Sequence, residues 1–176
     1  MNRNVKGVIY FLVAAVASYF LVVFVTPTFI LAVVKAKTKS EFNVPVYTKV
    51  ITDKNRDIVL PNPDFLYVVC GYNVWEGPLK ITGTMTDSSY YSLSLYSGNT
   101  KNYYIKNNQS ATEKEFEIIL TNKDGGATIN NEGLECITSP SYFGFIIVRI
   151  LIDNTHNLQK LQEIQSSFKV EELKNK

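Results

Sequence analysis

Hydrophobic positions follow three successive patterns along this chain. From Gly7 to Val34 no side chain carries a charge, and Val, Ile, Leu, Phe and Ala dominate. A helix over that stretch would be about 42 Å long at ~1.5 Å per residue, against a bilayer core about 30 Å thick. The pattern predicts a short tail, 1–6, then a transmembrane helix, 7–34. The run is longer than the roughly 7–15 apolar residues of a cleaved signal, so an uncleaved anchor is expected. Pro27 removes a backbone donor, so a kink or an exit from the membrane is expected at Thr26-Pro27-Thr28.

After a linker, 35–44, the period falls to two. Leu79, Ile81, Gly83 and Met85 alternate with Lys80, Thr82 and Thr84. Tyr91, Leu93 and Leu95 alternate with Ser92, Ser94 and Tyr96, and Phe116, Ile118 and Leu120 stand opposite Glu115 and Glu117. Such alternation predicts strands with one face on a core. Phe65 to Cys70 and Phe143 to Ile152 are almost wholly apolar and predict central strands. Turn residues separate the runs at Pro61-Asn62-Pro63, Glu76-Gly77-Pro78, Ser97-Gly98-Asn99, Asp124-Gly125-Gly126 and Ser139-Pro140-Ser141. The expectation is a mainly β fold, an all-β sandwich over 45–153. The last pattern has Leu158, Leu161, Ile164 and Phe168 at helical spacing. It predicts an amphipathic helix, 154–170, capped by Asp153, Asn154 or Thr155, then a tail, 171–176.

Composition adds little to the β domain except tyrosine. The chain has 176 residues, with eleven Tyr, ten Phe and one Trp, and a net charge of +2. Its lysines are scattered rather than striped among aromatics, which argues against nucleic-acid binding. The bilayer is the expected first partner. Arg3 and Lys6 lie before the apolar run and Lys35, Lys37 and Lys39 after it, so the positive-inside rule is nearly balanced. The very short N-terminal tail resembles that of an uncleaved signal, which places the β domain outside the cytoplasm.

The stretch from Asn62 to Leu79 resembles a bacterial family, domain of unknown function 1254. The resemblance lies in Pro63-Asp64-Phe65, a short strand, Asn73-Val74 and Gly77-Pro78 before a second strand. Tyr90-Tyr91-Ser92-Leu93-Ser94-Leu95-Tyr96 continues it and is similar to a strand of the sister family, domain of unknown function 1214. Ser139-Pro140-Ser141-Tyr142-Phe143-Gly144-Phe145, followed by Arg149, resembles a turn, strand and Arg that both families place near their ends. The resemblance covers roughly residues 45–153. It implies an immunoglobulin-like β-sandwich in a Gram-negative envelope, where the orientation read from the N-terminal tail puts it on the periplasmic side of the inner membrane, and it carries over no catalytic residues.

Candidate chemistry is sparse. Arg149 lies in an apolar run that would exclude an unpaired charge, so it is expected to pair with Asp64. That pair would lock two central strands or, less conservatively, build an anion site. Tyr67 and Tyr96 join Asp64 and Arg149 as candidate binding residues, because Tyr buries area while keeping a polar tip. The enriched set Tyr90, Tyr96, Tyr103, Tyr104 and Tyr142 suits either sugar or protein recognition, or reflects strand propensity alone. Cys70 and Cys136 are candidates for a disulfide or for two buried thiols. His156 is the only histidine, at the expected helix start, and no zinc spacing or catalytic triad signature accompanies it. Asn108-Gln109-Ser110 matches a glycosylation triplet, to which a bacterial chain gives no meaning.

These features favour a single-pass envelope protein whose β domain binds a protein partner, with no cofactor implied. The alternatives are an envelope enzyme or sugar-binding module using Arg149, Asp64 and surface Tyr, and a pilin-like subunit. The last would need an acid where Leu12 stands.

Overall fold

The computed structural model describes residues 3–38, 41–52, 62–86, 89–109, 114–122, 134–153 and 157–173. Their elements in chain order are α1 (Arg3–Thr38), β1 (Val46–Tyr47), β2 (Phe65–Asn73), β3 (Leu79–Thr84), β4 (Tyr91–Ser97), β5 (Asn102–Asn107), β6 (Glu115–Thr121), β7 (Glu135–Thr138), β8 (Phe143–Leu151), α2 (Leu158–Ser167) and β9 (Lys169–Glu172).

The apolar run does form a helix, and it passes through Pro27 without ending. Pro27 cannot donate to the carbonyl one turn back, while the neighbouring Thr26 hydroxyl donates to Val22 O at 2.6 Å. Its Arg3–Pro27 portion, with mean hydropathy 2.7, is long and apolar enough to cross a membrane. By length and composition that portion fits a membrane span or a signal sequence. None of it is buried against the rest of the chain.

The β strands form two sheets. One has the order β1-β2-β8-β4-β5, all antiparallel, and the other the order β7-β6-β3-β9, with β6 and β7 parallel. Side chains alternate across a strand, and the core collects one parity from each. Leu66, Val68, Cys70 and Tyr72 of β2, Ile146, Val148 and Ile150 of β8, and Tyr91, Leu93 and Leu95 of β4 meet Leu79, Ile81, Phe116, Ile118 and Leu120 of the other sheet. Each fully buried aliphatic among them contributes about 1.5–3 kcal/mol.

Polar groups close both sides of the sandwich. At the β5/β7 side, Glu135 accepts hydrogen bonds from Tyr104 Oη and Lys106 Nζ, each at 2.7 Å. Across the molecule, Tyr47 Oη donates to Phe168 O at 2.7 Å, and Asn43 Nδ2 donates to Glu172 Oε1 at 2.7 Å. There α2 inserts Leu161 into the core, and the buried Gln165 amide donates to Thr48 O (3.0 Å) and Tyr67 O (2.7 Å). Inside, Tyr103 Oη donates to Tyr72 Oη (3.1 Å), which reaches Ser139 Oγ (2.8 Å), which donates to Ser141 O (2.6 Å). Gly144 lies against the Tyr72 ring with no room for a Cβ. The strands β2, β4, β6 and β9 finish, and β3, β5 and β8 begin, at the end where Asn43 joins the sandwich. We call this the proximal end.

Four sequence expectations are corrected. The C-terminal helix is shorter than 154–170. Asn157 is its N-cap, with Oδ1 accepting from Gln159 N, and it ends at Ser167. Glu171 and Glu172, expected in a tail, belong to β9, which pairs with β3. Cys70 and Cys136 do not bridge. Cys70 points into the core from the five-stranded sheet, where burial pushes its thiol up to about 12, whereas Cys136 is exposed on the edge strand of the other sheet. Asp64 and Arg149 do not pair either, for a reason of strand parity taken up below.

Candidate functional site

Arg149 occupies an odd position of β8, whose even positions face the core. Its side chain therefore stands on the outer face of the five-stranded sheet, where its charge needs no buried partner. In register it lies between Tyr67 of β2 and Ser92 of β4. Asp64 precedes β2, three residues and one parity away from Tyr67, and is exposed. Its backbone is engaged, the amide by Asn62 Oδ1 and the carbonyl by Ile152 N. Among the described residues, no ion pair or hydrogen bond holds the Arg149 guanidinium.

The rows beside Arg149 are mostly apolar. The next row runs Val46, Val69, Ile147, Ser94, Ile105, and the one beyond it Gly71, Phe145, Tyr96. Tyr96 stacks on Phe145 with centroids 4.8 Å apart and planes 9° apart. At one end of the face Phe65 meets Tyr67 and Tyr90, and at the other Phe143 meets Phe42 at 5.5 Å. Ile105 is 58% exposed. Ser92 and Ser94 are tucked low between these side chains, and among the described residues their hydroxyls take no protein partner.

The outer face of the other sheet is the contrast. It carries Lys80, Thr82, Thr84, Glu115, Glu117, Lys169 and Glu171, with Lys80 and Glu117 paired at 2.7 Å. An antiparallel sheet facing water ordinarily shows such polar residues outward. The face around Arg149 departs from that rule. A planar guanidinium suits a carboxylate or phosphate, so the face combines an apolar, aromatic surface with one anion-seeking fork.

The predicted binding residues fall unevenly on this geometry. Tyr67, Arg149 and Tyr96 share the face, and Asp64 is apart from it. The Tyr67 hydroxyl accepts from Asn62 N at 3.0 Å, which makes Tyr67 a buried wall more than a free polar tip. Of the enriched tyrosines, Tyr103 and Tyr104 turn to the core side, and burial first, then Tyr72 or Glu135 as neighbour, raises their pKa values. Asn108 uses its side-chain amide on Thr86 O, Ser89 O and Tyr91 N in a turn. His156 lies outside the described residues. Sequence reasoning missed Ser92, Ser94, Ile105, Phe145 and Ile147. The available signal was β8 itself, apolar on both parities although only one faces the core. Among the described residues no three His, Cys, Asp or Glu side chains gather to hold a metal ion.

A family model described as "Protein of unknown function (DUF1254)" matches residues 42–172. Among solved structures, the chain is similar to the VPA0106 protein from Vibrio parahaemolyticus, with TM-score 0.67 and 12% identity, over 85% of this chain and 36% of that one. It is also similar to an uncharacterized protein from Burkholderia cenocepacia, with TM-score 0.50 and 14% identity, over 89% of this chain and 42% of that one. The chain thus spans less than half the length of either, and these likenesses concern the fold. No curated protein sequence matches the chain.

Proposed function

Given that this chain belongs to the DUF1254 family, we propose that it works by binding, as a membrane-tethered β-sandwich that presents the outer face of its five-stranded sheet to a protein partner in the cell envelope. On this reading α1 is the tether and the sandwich stands on the periplasmic side of the inner membrane. The observation that carries the reading is the contrast between the two outer faces: one is polar and internally paired, the other apolar and aromatic with a lone Arg149. Tyr67, Val69 and Phe145 of this face are buried and Ile105 stands exposed beside them; apolar side chains exposed on one face mark interaction surfaces, and Arg and Tyr are enriched in them. The lengths of the two similar structures lend support, since there the same fold is joined to more chain.

The test is co-purification of the full chain from native membranes in mild detergent, with mass spectrometry of what stays bound. A stoichiometric protein retained by the wild type and by Thr82→Asp, but lost with Ile105→Asp or Arg149→Glu, is the expected result. Equal recovery from all four chains would overturn the assignment of the face.

A further inference from the structure

At the proximal end, Trp75 stands 63% exposed, with the Tyr142 ring at 4.6 Å in an edge-on arrangement. Tyr142 is 38% exposed and Phe143 40%. Large aromatics exposed together at one end of a sandwich are unusual where only water faces them. The chain itself says what else is near. Asn43, next to Phe42, donates from its backbone N to Gly71 O (2.7 Å) and accepts through Oδ1 from Asn73 N (2.8 Å). Asn73 Oδ1 in turn accepts from Trp75 N (2.8 Å), and Val74 N donates to Tyr142 O (2.9 Å). The segment arriving from α1 and the Trp75 loop are thus one hydrogen-bonded unit.

The membrane-length portion of α1 is Arg3–Pro27, and uncharged residues continue to Val34. The chain to Asn43 reaches at most about 34 Å from Pro27 and about 23 Å from Val34, at ~1.5 Å per helical and ~3.4 Å per extended residue. The headgroup layer beyond the hydrocarbon is itself roughly 5–7 Å thick. The lipid surface is therefore within reach of the proximal end, and Trp and Tyr are the side chains that favour that layer, with apolar rings and polar tips.

We propose that Trp75, Tyr142 and Phe143 dock the proximal end of the sandwich into the interfacial layer of the bilayer that α1 spans. The proposal rests on α1 being a membrane span. It fixes the tilt of the domain, so that the sheet face around Arg149 runs upright from the lipid instead of swinging on a linker. Glu76, beside Trp75, is exposed and acidic, so the contact is apolar and persists at high salt.

Trp75 is the only tryptophan, so its fluorescence reports this one place. The full chain is reconstituted into phosphatidylcholine vesicles carrying nitroxide lipids, with the label either shallow or deep in the acyl chain. Flotation and alkaline carbonate washing are scored on the same samples. The expected result is a chain that floats and resists carbonate, with blue-shifted emission shielded from iodide and quenched at least about twofold more by the shallow label than the deep one. Tyr142→Ser with Phe143→Ser should still float but lose most of that quenching. A floating chain whose Trp75 is open to iodide and untouched by either label overturns the docking and leaves the anchor intact. A floating chain shielded from both iodide and lipid labels overturns it in favour of a protein contact. A chain that does not float overturns the anchor and the docking together.

Discussion

Replacing Gly144 with Ala should be among the most damaging single changes in the β domain. Gly144 sits on the core side of β8, opposite Tyr72 and Ser97. An added Cβ would lie well inside the 3.0 Å that real Cβ atoms keep from the Tyr96 carbonyl oxygen and from Cζ and Oη of Tyr72. The first of these is backbone of the neighbouring strand and the second a fully buried ring, so neither has an easy escape. Overpacking of this kind costs about 1–3 kcal/mol. If the Tyr72 ring swings away, its hydrogen bonds to Tyr103 and Ser139 go too, at about 1 kcal/mol each. Ala recovers roughly 0.5–1 kcal/mol over Gly in a strand, which leaves a net loss of about 2–4 kcal/mol. The matched control is Gly71→Ala on the paired strand, where the new Cβ would meet only the Phe42 ring, Cδ1 at 3.4 Å and Cε1 at 3.6 Å, ordinary contacts. Urea titration of the full chain in mild detergent, read by near-UV circular dichroism of the buried tyrosines, measures both. The reasoning is refuted if the two substitutions fall within about 1 kcal/mol of each other, a spread ordinary for benign changes.

Among the described residues the buried Tyr91 hydroxyl has no hydrogen-bond partner, so Tyr91→Phe should stabilise the domain by about 1 kcal/mol; a loss in the same titration would show that the hydroxyl is bonded. Gln165→Ala takes the Gln165 donor from the buried Thr48 O, while Tyr67 O keeps its bonds from Thr48 N and Thr48 Oγ1, and should cost about 1–2 kcal/mol and speed amide exchange in β1. Burial alone would raise the Glu135 pKa, but hydrogen bonds from Lys106 and Tyr104 and the Lys106 charge outweigh it and hold the carboxyl below its ordinary value. A group depressed in the folded state adds stability above its unfolded pKa, about 4.3, and loses it as pH falls through the folded value. The stability difference between wild type and Glu135→Gln should therefore be flat above about pH 5 and vanish in acid; a difference unchanged at low pH would contradict the link. With iodoacetamide at neutral pH, exposed Cys136 should alkylate in the folded chain and Cys70 only after unfolding.

The residues that announce themselves in the sequence are those in strands whose apolar side chains fall on one face. Alternation over Leu79–Thr84, Tyr91–Ser97 and Glu115–Thr121 places β3, β4 and β6 within a residue or so. What escaped depends on neighbours distant in sequence. Asn102–Asn107 has no clean alternation and becomes β5 by pairing with β4, with a register shift at Leu95/Tyr96. Lys-Val-Glu-Glu at 169–172 offers one apolar residue, Val170, and becomes β9 because β3 presents an open edge beside Phe168. Arg149 misled for a physical reason. An apolar strand reads as buried on both faces, so a charge within it seemed to require a partner. In the observed sheet only one face of β8 meets the core between the sheets, and the apolar surface on the other is the candidate site itself.

Asn43 and Glu172, bonded to each other at the proximal end, mark where the chain enters and leaves the sandwich. The strands next to them, β1 and β9, are each the outermost strand of a sheet. A mechanical load applied between the helix and the chain beyond residue 172 would therefore act on two neighbouring corners. It would peel β1 from β2 and β9 from β3 one hydrogen bond at a time, like two zippers opened from the same side, while β8 and β4 carried no tension. The domain would yield early at its seams and keep its centre, and the sheet face around Arg149 would stay whole under pull.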